Sequence, residues 1–97
     1  MYARVTHVQI RTDAVDQAVG IYRDSVMAAA KAQKGFHATY MLTDASSGKG
    51  MSVTVWDTLE DLQASESSGY YQEQIAKFGP FLTAAPTREI FDVSVNG

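Results

Sequence analysis

The side chains with chemistry to offer are His7, Tyr22, Ser52, Thr54, Trp56 and Tyr71. An imidazole with an ordinary pKa near ~6.5 can take a hydroxyl proton at neutral pH or bind the anion that results, so His7 is the candidate catalytic base. A lone histidine can equally be a satisfied structural residue. Ser52, Thr54 and Trp56 alternate along one strand face. Hydroxyls on a covered face need partners, which a polar-lined cavity supplies, although strand threonines also pack in ordinary ways. An indole at the end of that row can stack on a flat ligand and donate its N–H, or simply plug the core. Tyr22 and Tyr71 share the phase of apolar helix positions and can aim phenols inward. Tyr70 suits a rim with its hydroxyl in water. Arg4 and Arg88 can steady an anion from strands, with surface ion pairing as the plainer job. His7 and His37 have no cysteine or carboxylate pair beside them, so no metal site is expected. Met27, Met41 and Met51 suit adaptable packing, in a pocket or in a core.

These residues sit in a chain of 97 residues, 45% hydrophobic and 20% charged, which is one globular domain, 1–97. Eight basic residues against eleven acidic give a net charge of −3, and the basic ones are scattered. No positive stripe exists to neutralise phosphates, so nucleic acid is not an expected partner. The absence of cysteine excludes disulfides and thiolate chemistry and suits a reducing, cytoplasmic setting. Met1 to Val5 reads as strand and not as a signal peptide, and no apolar run approaches the ~20 residues of a membrane span.

The elements that must position the site follow from periodicity. Residues 2–11 alternate as a strand. Asp13 is the expected N-cap of a long helix whose stripe is Val15, Ala18, Val19, Tyr22, Val26, Ala29 and Ala30, with Gly35 as its stop. Phe36–Asp44 and Met51–Asp57 form two strands joined by the turn-rich Asp44–Gly50. Asp57-Thr58-Leu59-Glu60 reads as a capping box, with Glu60 reaching back. One short helix then runs to about Ser65–Gly69 and another from Tyr70 to Phe78, ended by Gly79-Pro80. Thr87–Val95 is the last strand.

This order, βαββαβ, gives a ferredoxin-like α+β fold. Right-handed crossovers place the first and third strands centrally in a four-stranded antiparallel sheet with helices on one face. Val8, Ile10, Val53 and Val55 are expected on the uncovered face. An apolar patch of that kind calls for a second copy of the chain, sheet against sheet.

The opening strand Tyr2-Ala3-Arg4-Val5, the pair Gly35-Phe36, and the run Val53-Thr54-Val55-Trp56-Asp57-Thr58-Leu59-Glu60-Asp61 resemble the antibiotic biosynthesis monooxygenase (ABM) family of the dimeric α/β-barrel superfamily. The resemblance covers nearly the whole chain. It implies a homodimer with a pocket between sheet and helices in each protomer. It also implies a monooxygenase that oxidises a small aromatic or polycyclic phenol with O2 and no cofactor. Trp56 would then stack on the ligand, Ser52, Thr54, Tyr71 and Tyr22 would bind it, and His7 would tune its ionisation. The chain departs from the quinone-forming members at Ser52, where they carry an asparagine, and from haem-degrading members at Glu66, where they carry a histidine. The alternative reading is a non-catalytic dimeric module that binds a ligand or a partner.

Overall fold

The computed structural model describes all residues, Met1–Gly97. Strands β1 (Tyr2–Gln9), β2 (Phe36–Thr43), β3 (Lys49–Trp56) and β4 (Thr87–Asp92) form one antiparallel sheet in the order β2-β3-β1-β4. The two central strands are the first and third, as the crossovers require. Helices α1 (Val15–Ile21), α2 (Met27–Lys31), α3 (Leu59–Ser67) and α4 (Tyr70–Ala76) cover one face. No helix is long and apolar enough to cross a membrane.

Register decides which side chains meet the helices. Arg4 lies opposite Thr54, Thr6 opposite Ser52 and Val8 opposite Gly50. Because strand side chains alternate, these residues and Trp56 share the helix-covered face, and Ala3, Val5, His7, Val53 and Val55 share the other. The expectation that Val8 and Ile10 lie on the uncovered face is therefore corrected. Ile10 is 1% exposed and belongs to the core with Ala14, Val15, Ala18, Tyr22, Val26 and Phe78. Val53 and Val55 stay on the uncovered face, where Tyr40, Leu42 and Phe91 are 57%, 52% and 49% exposed.

The long helix is not uniform. Between α1 and α2, residues Tyr22–Val26 form a π turn, in which Met27 N–H donates to the Tyr22 carbonyl five residues back. An α-helix turns about 100° per residue, so positions eight apart drift by about 80°. The wider turn takes back most of that drift. Tyr22, Val26 and Ala30 consequently all face the sheet, and all three are buried.

Two caps differ from expectation. The N-cap of α1 is Ala14, without a side-chain bond, while Asp13 pairs with Arg11 at 3.3 Å. At α3 the cap is Thr58, whose Oγ1 accepts from Asp61 N–H at 3.1 Å, so the capping frame starts one residue later than read. Asp61, not Glu60, occupies the third helical position. β4 ends at Asp92, short of the expected Val95.

Candidate functional site

A cavity of about 50 Å³ lies between the central strands and the helices. β1 contributes Arg4, Thr6 and Val8, β3 contributes Ser52 and Thr54, and β2 contributes Thr39 and Met41. The π turn supplies Tyr22 and Val26, and α4 supplies Tyr70, Tyr71, Gln74 and Ile75. Most of the wall is apolar, which leaves the few polar groups to orient a ligand.

The hydroxyls form two groups. Tyr22 Oη hydrogen-bonds Thr39 Oγ1 and lies 2.8 Å from Ser52 Oγ. Beside it on the neighbouring strand, Tyr71 Oη lies 2.8 Å from Thr6 Oγ1. Tyr70 is half-buried, and its phenol is pushed up to about 12, chiefly by burial; Arg4 opposes the shift and Tyr22 adds to it.

Arg4 is the group that sequence reading undervalued. Given a surface ion pair as its plainer job, it is instead 2% exposed. Its Nη1 donates to Ser65 Oγ at 2.8 Å and to Glu66 Oε2 at 3.4 Å. Its guanidinium carbon lies 4.0 Å from the Tyr71 ring centroid and 5.6 Å from that of Trp56. Burial lowers its pKa from the ordinary arginine value, against the pull of Glu66. Glu66 also meets Arg88 Nη2 at 3.1 Å. The available signal was the phase of β1: Arg4 alternates with Thr6 and Val8, and all three face the helices.

The sequence candidates thus divide. Tyr22, Ser52, Thr54 and Tyr71 come together around one cavity. Trp56 does not join its wall. The indole is fully buried, meets Phe36 edge-to-face at 6.2 Å, and leaves Nε1 without a partner. It packs as a core aromatic behind Arg4, so its expected role as a stacking platform is corrected. His7 lies on the uncovered face, 2.9 Å from Glu89 and 41% exposed at its side chain, so it is no base for this cavity. His37 is also outside, near Asp57 at 3.6 Å. No group of three or more His, Cys, Asp or Glu side chains is placed to hold a metal. No imidazole or thiolate lines the cavity, and Glu66 is held between two arginines.

A family model described as antibiotic biosynthesis monooxygenase matches residues 1–77. The chain belongs to that family. Among solved structures, a Nitrosomonas europaea protein carrying the family name superposes with TM-score 0.78 at 14% identity, covering 98% of this chain and 100% of that one. A monooxygenase of Streptomyces coelicolor, solved with Nanaomycin D, gives TM-score 0.74 at 12% identity over 98% of this chain and 88% of that one. A Mycobacterium tuberculosis haem-degrader with two haems bound gives 0.75 at 16% over 100% and 99%. At these identities the likeness is one of fold. An uncharacterised Mycobacterium tuberculosis protein is 32% identical over 65 residues, 67% of this chain. The ABM chain spans 29% of the length of that relative.

Proposed function

We propose that this ABM-family protein is a cofactor-independent monooxygenase that oxidises a small aromatic phenol in the cavity beneath its helices. The observation that carries the reading is the cavity itself: an apolar chamber with two neighbouring phenol–hydroxyl pairs and a buried guanidinium beside them. Such a wall can hold a flat ring and stabilise its ionised form while excluding water. In the reaction, one oxygen atom of O2 enters the ring as the quinone carbonyl and the other leaves as water. The ring supplies the electrons. The Streptomyces coelicolor monooxygenase, solved with Nanaomycin D, supports a small-molecule ligand, for which a polycyclic phenol is the class proposed. A ligand of that size needs more room than about 50 Å³. The helical cover, whose α4 is flanked by Gly69 and Gly79, would have to move outward to admit it.

The test is oxidation of a panel of anthrone-like phenols with and without O2, followed by oxygen uptake and product absorbance. O2-dependent quinone formation is expected, reduced at least about tenfold by Tyr22→Phe. Equal rates in the two atmospheres would end the oxygenase reading.

A second reading, a ligand-binding module without turnover, is favoured by one observation: no histidine or free carboxylate faces the cavity. Ligand-induced thermal stabilisation without product is its signature. In either case the working unit is proposed to be a homodimer joined through the uncovered sheet face.

A further inference from the structure

Around the cavity, Arg4 and Gln74 hold N–H donors that no neighbouring group uses. The hydroxyls of Tyr22, Thr39 and Ser52 bond one another, as do those of Thr6 and Tyr71. Arg4 donates through Nη1 alone, and its buried Nε–H has no acceptor. Gln74 lines the cavity and is 7% exposed. Its side-chain carbonyl accepts from Lys77 Nζ at 2.8 Å. With that oxygen held, the amide keeps two N–H donors and no acceptor in use elsewhere. Lys77 is itself fixed from a second element, since Nζ also donates to Ser25 Oγ, on the π turn, at 2.8 Å. Lys77 does not line the cavity.

Charge runs the same way. Glu66 is shared by Arg4 at 3.4 Å and Arg88 at 3.1 Å, so two cations face one anion. Arg88 is half in water, whereas the Arg4 side chain is 3% exposed. A buried cation short of acceptors, on the same cavity as an amide with two unused N–H donors, favours a negatively charged oxygen.

We propose that Arg4 and Gln74 are the donors for an oxyanion, phenolate or carboxylate, carried by a flat apolar ligand, and that Lys77 is the positioning residue that fixes the Gln74 amide. This rests on reading the cavity as a ligand site. Gln74 is then a specificity determinant: it rewards the ionised ligand over a neutral one of the same shape. Trp56 Nε1 is also unspent, but it lies outside the wall and takes no part.

Arg4 is too deeply embedded for its removal to be informative, so the test leaves it in place. Calorimetry compares 2-naphthoate, 4-nitrophenolate at alkaline pH and the neutral 2-naphthylmethanol on the intact chain. At least one anion is expected to bind about tenfold or more tightly than the alcohol, as a charged hydrogen bond implies. Gln74→Met and Lys77→Met are each expected to weaken the anion about fivefold or more and the alcohol less than about twofold, with Lys77→Arg restoring affinity. The Arg4 Nε–H and Gln74 amide resonances should shift when the anion is added to the unaltered protein. The two anion arms separate carboxylate from phenolate recognition. Alcohol binding as tight as the better of the two anions, or an unaffected Lys77→Met, overturns the inference while leaving a ligand site standing. No binding by any probe removes the ligand site and the inference together.

Discussion

Tyr70 shows how much the helical cover changes a single side chain. Its phenol ionises near about 12 in the folded protein, against ~10 for an unfolded tyrosine. The folded state therefore holds the proton more tightly. Between those values the unfolded chain has already lost a proton that the folded chain keeps, so ionisation favours unfolding. The stabilising contribution is complete below pH ~10 and disappears as pH rises through ~12. Solvent screening at this half-exposed ring makes the effect modest. Urea midpoints at pH 8 and pH 11 should fall further for the unaltered protein than for Tyr70→Phe; parallel falls would show that the ring is not held as described. At this scale the sequence was partly legible. Helical phase and strand alternation identified Tyr22, Ser52, Thr54 and Tyr71 as cavity neighbours. It misled at His7 because a chemically attractive residue was weighed apart from its strand phase: Ala3, Val5 and His7 alternate together, opposite to Arg4, Thr6 and Val8. It misled at Trp56 because alternation gives a face but not a depth, and the indole sits past the cavity's end, beside Phe36.

Element boundaries were legible where a glycine or a pairing partner forced them, and less so where a cap was one of several adjacent candidates. Thr58 and Asp57 are both good cap residues, and only the Thr58–Asp61 bond selects the frame. The π turn at Tyr22–Val26 was not legible because Tyr22, Val26 and Ala30 also fall within the broad apolar stripe of an unbroken α-helix, so the pattern did not demand a wider turn. The β2–β3 connection is the clearest case of a sequence-encoded constraint. Gly48 has φ +77, donates its N–H to the Asp44 carbonyl at 2.8 Å, and accepts from Ile10 N–H at 2.8 Å. A Cβ there would lie 2.0 Å from the Ile10 carbonyl oxygen. Backbone, not a flexible side chain, is in the way. Gly48→Ala combines that clash with a disfavoured conformation and is expected to cost at least ~1–3 kcal/mol. Equilibrium urea unfolding measures it, and a midpoint unchanged from the parent protein would refute this account of the turn. Because Ile10 anchors the core beside Val8 in the cavity wall, the same variant should loosen ligand binding.

The whole molecule leaves one layer open. Helices close the face that carries Arg4, Thr6 and Ser52, while Ala3, Val5, Val53 and Val55 line the opposite face, with Tyr40, Leu42 and Phe91 about half exposed around them. A four-stranded sheet with one covered face is a two-layer structure, and a chain of 97 residues has little other core to spend. Burying about 800 Å² per protomer at ~25 cal/mol per Å² gives a gross gain larger than typical domain stability, from which ordering and association costs are subtracted. Two copies meeting through these valines would complete a three-part sandwich of helices, paired sheets and helices. They would also hold β1, β2 and β3, which carry half of the residues lining each cavity, against a rigid backing. Val53 lies on a central strand of this face and does not line the cavity. Val53→Glu would place a carboxylate against its own symmetry mate, which costs several kcal/mol through like-charge contact and desolvation. Sedimentation at micromolar concentration should show the unaltered protein at twice its chain mass and Val53→Glu at the single-chain mass. Concentration-dependent unfolding of the former and concentration-independent unfolding of the latter should accompany the change. A 10.6 kDa species for the unaltered chain would mean that the valine face is left to water or to some other partner.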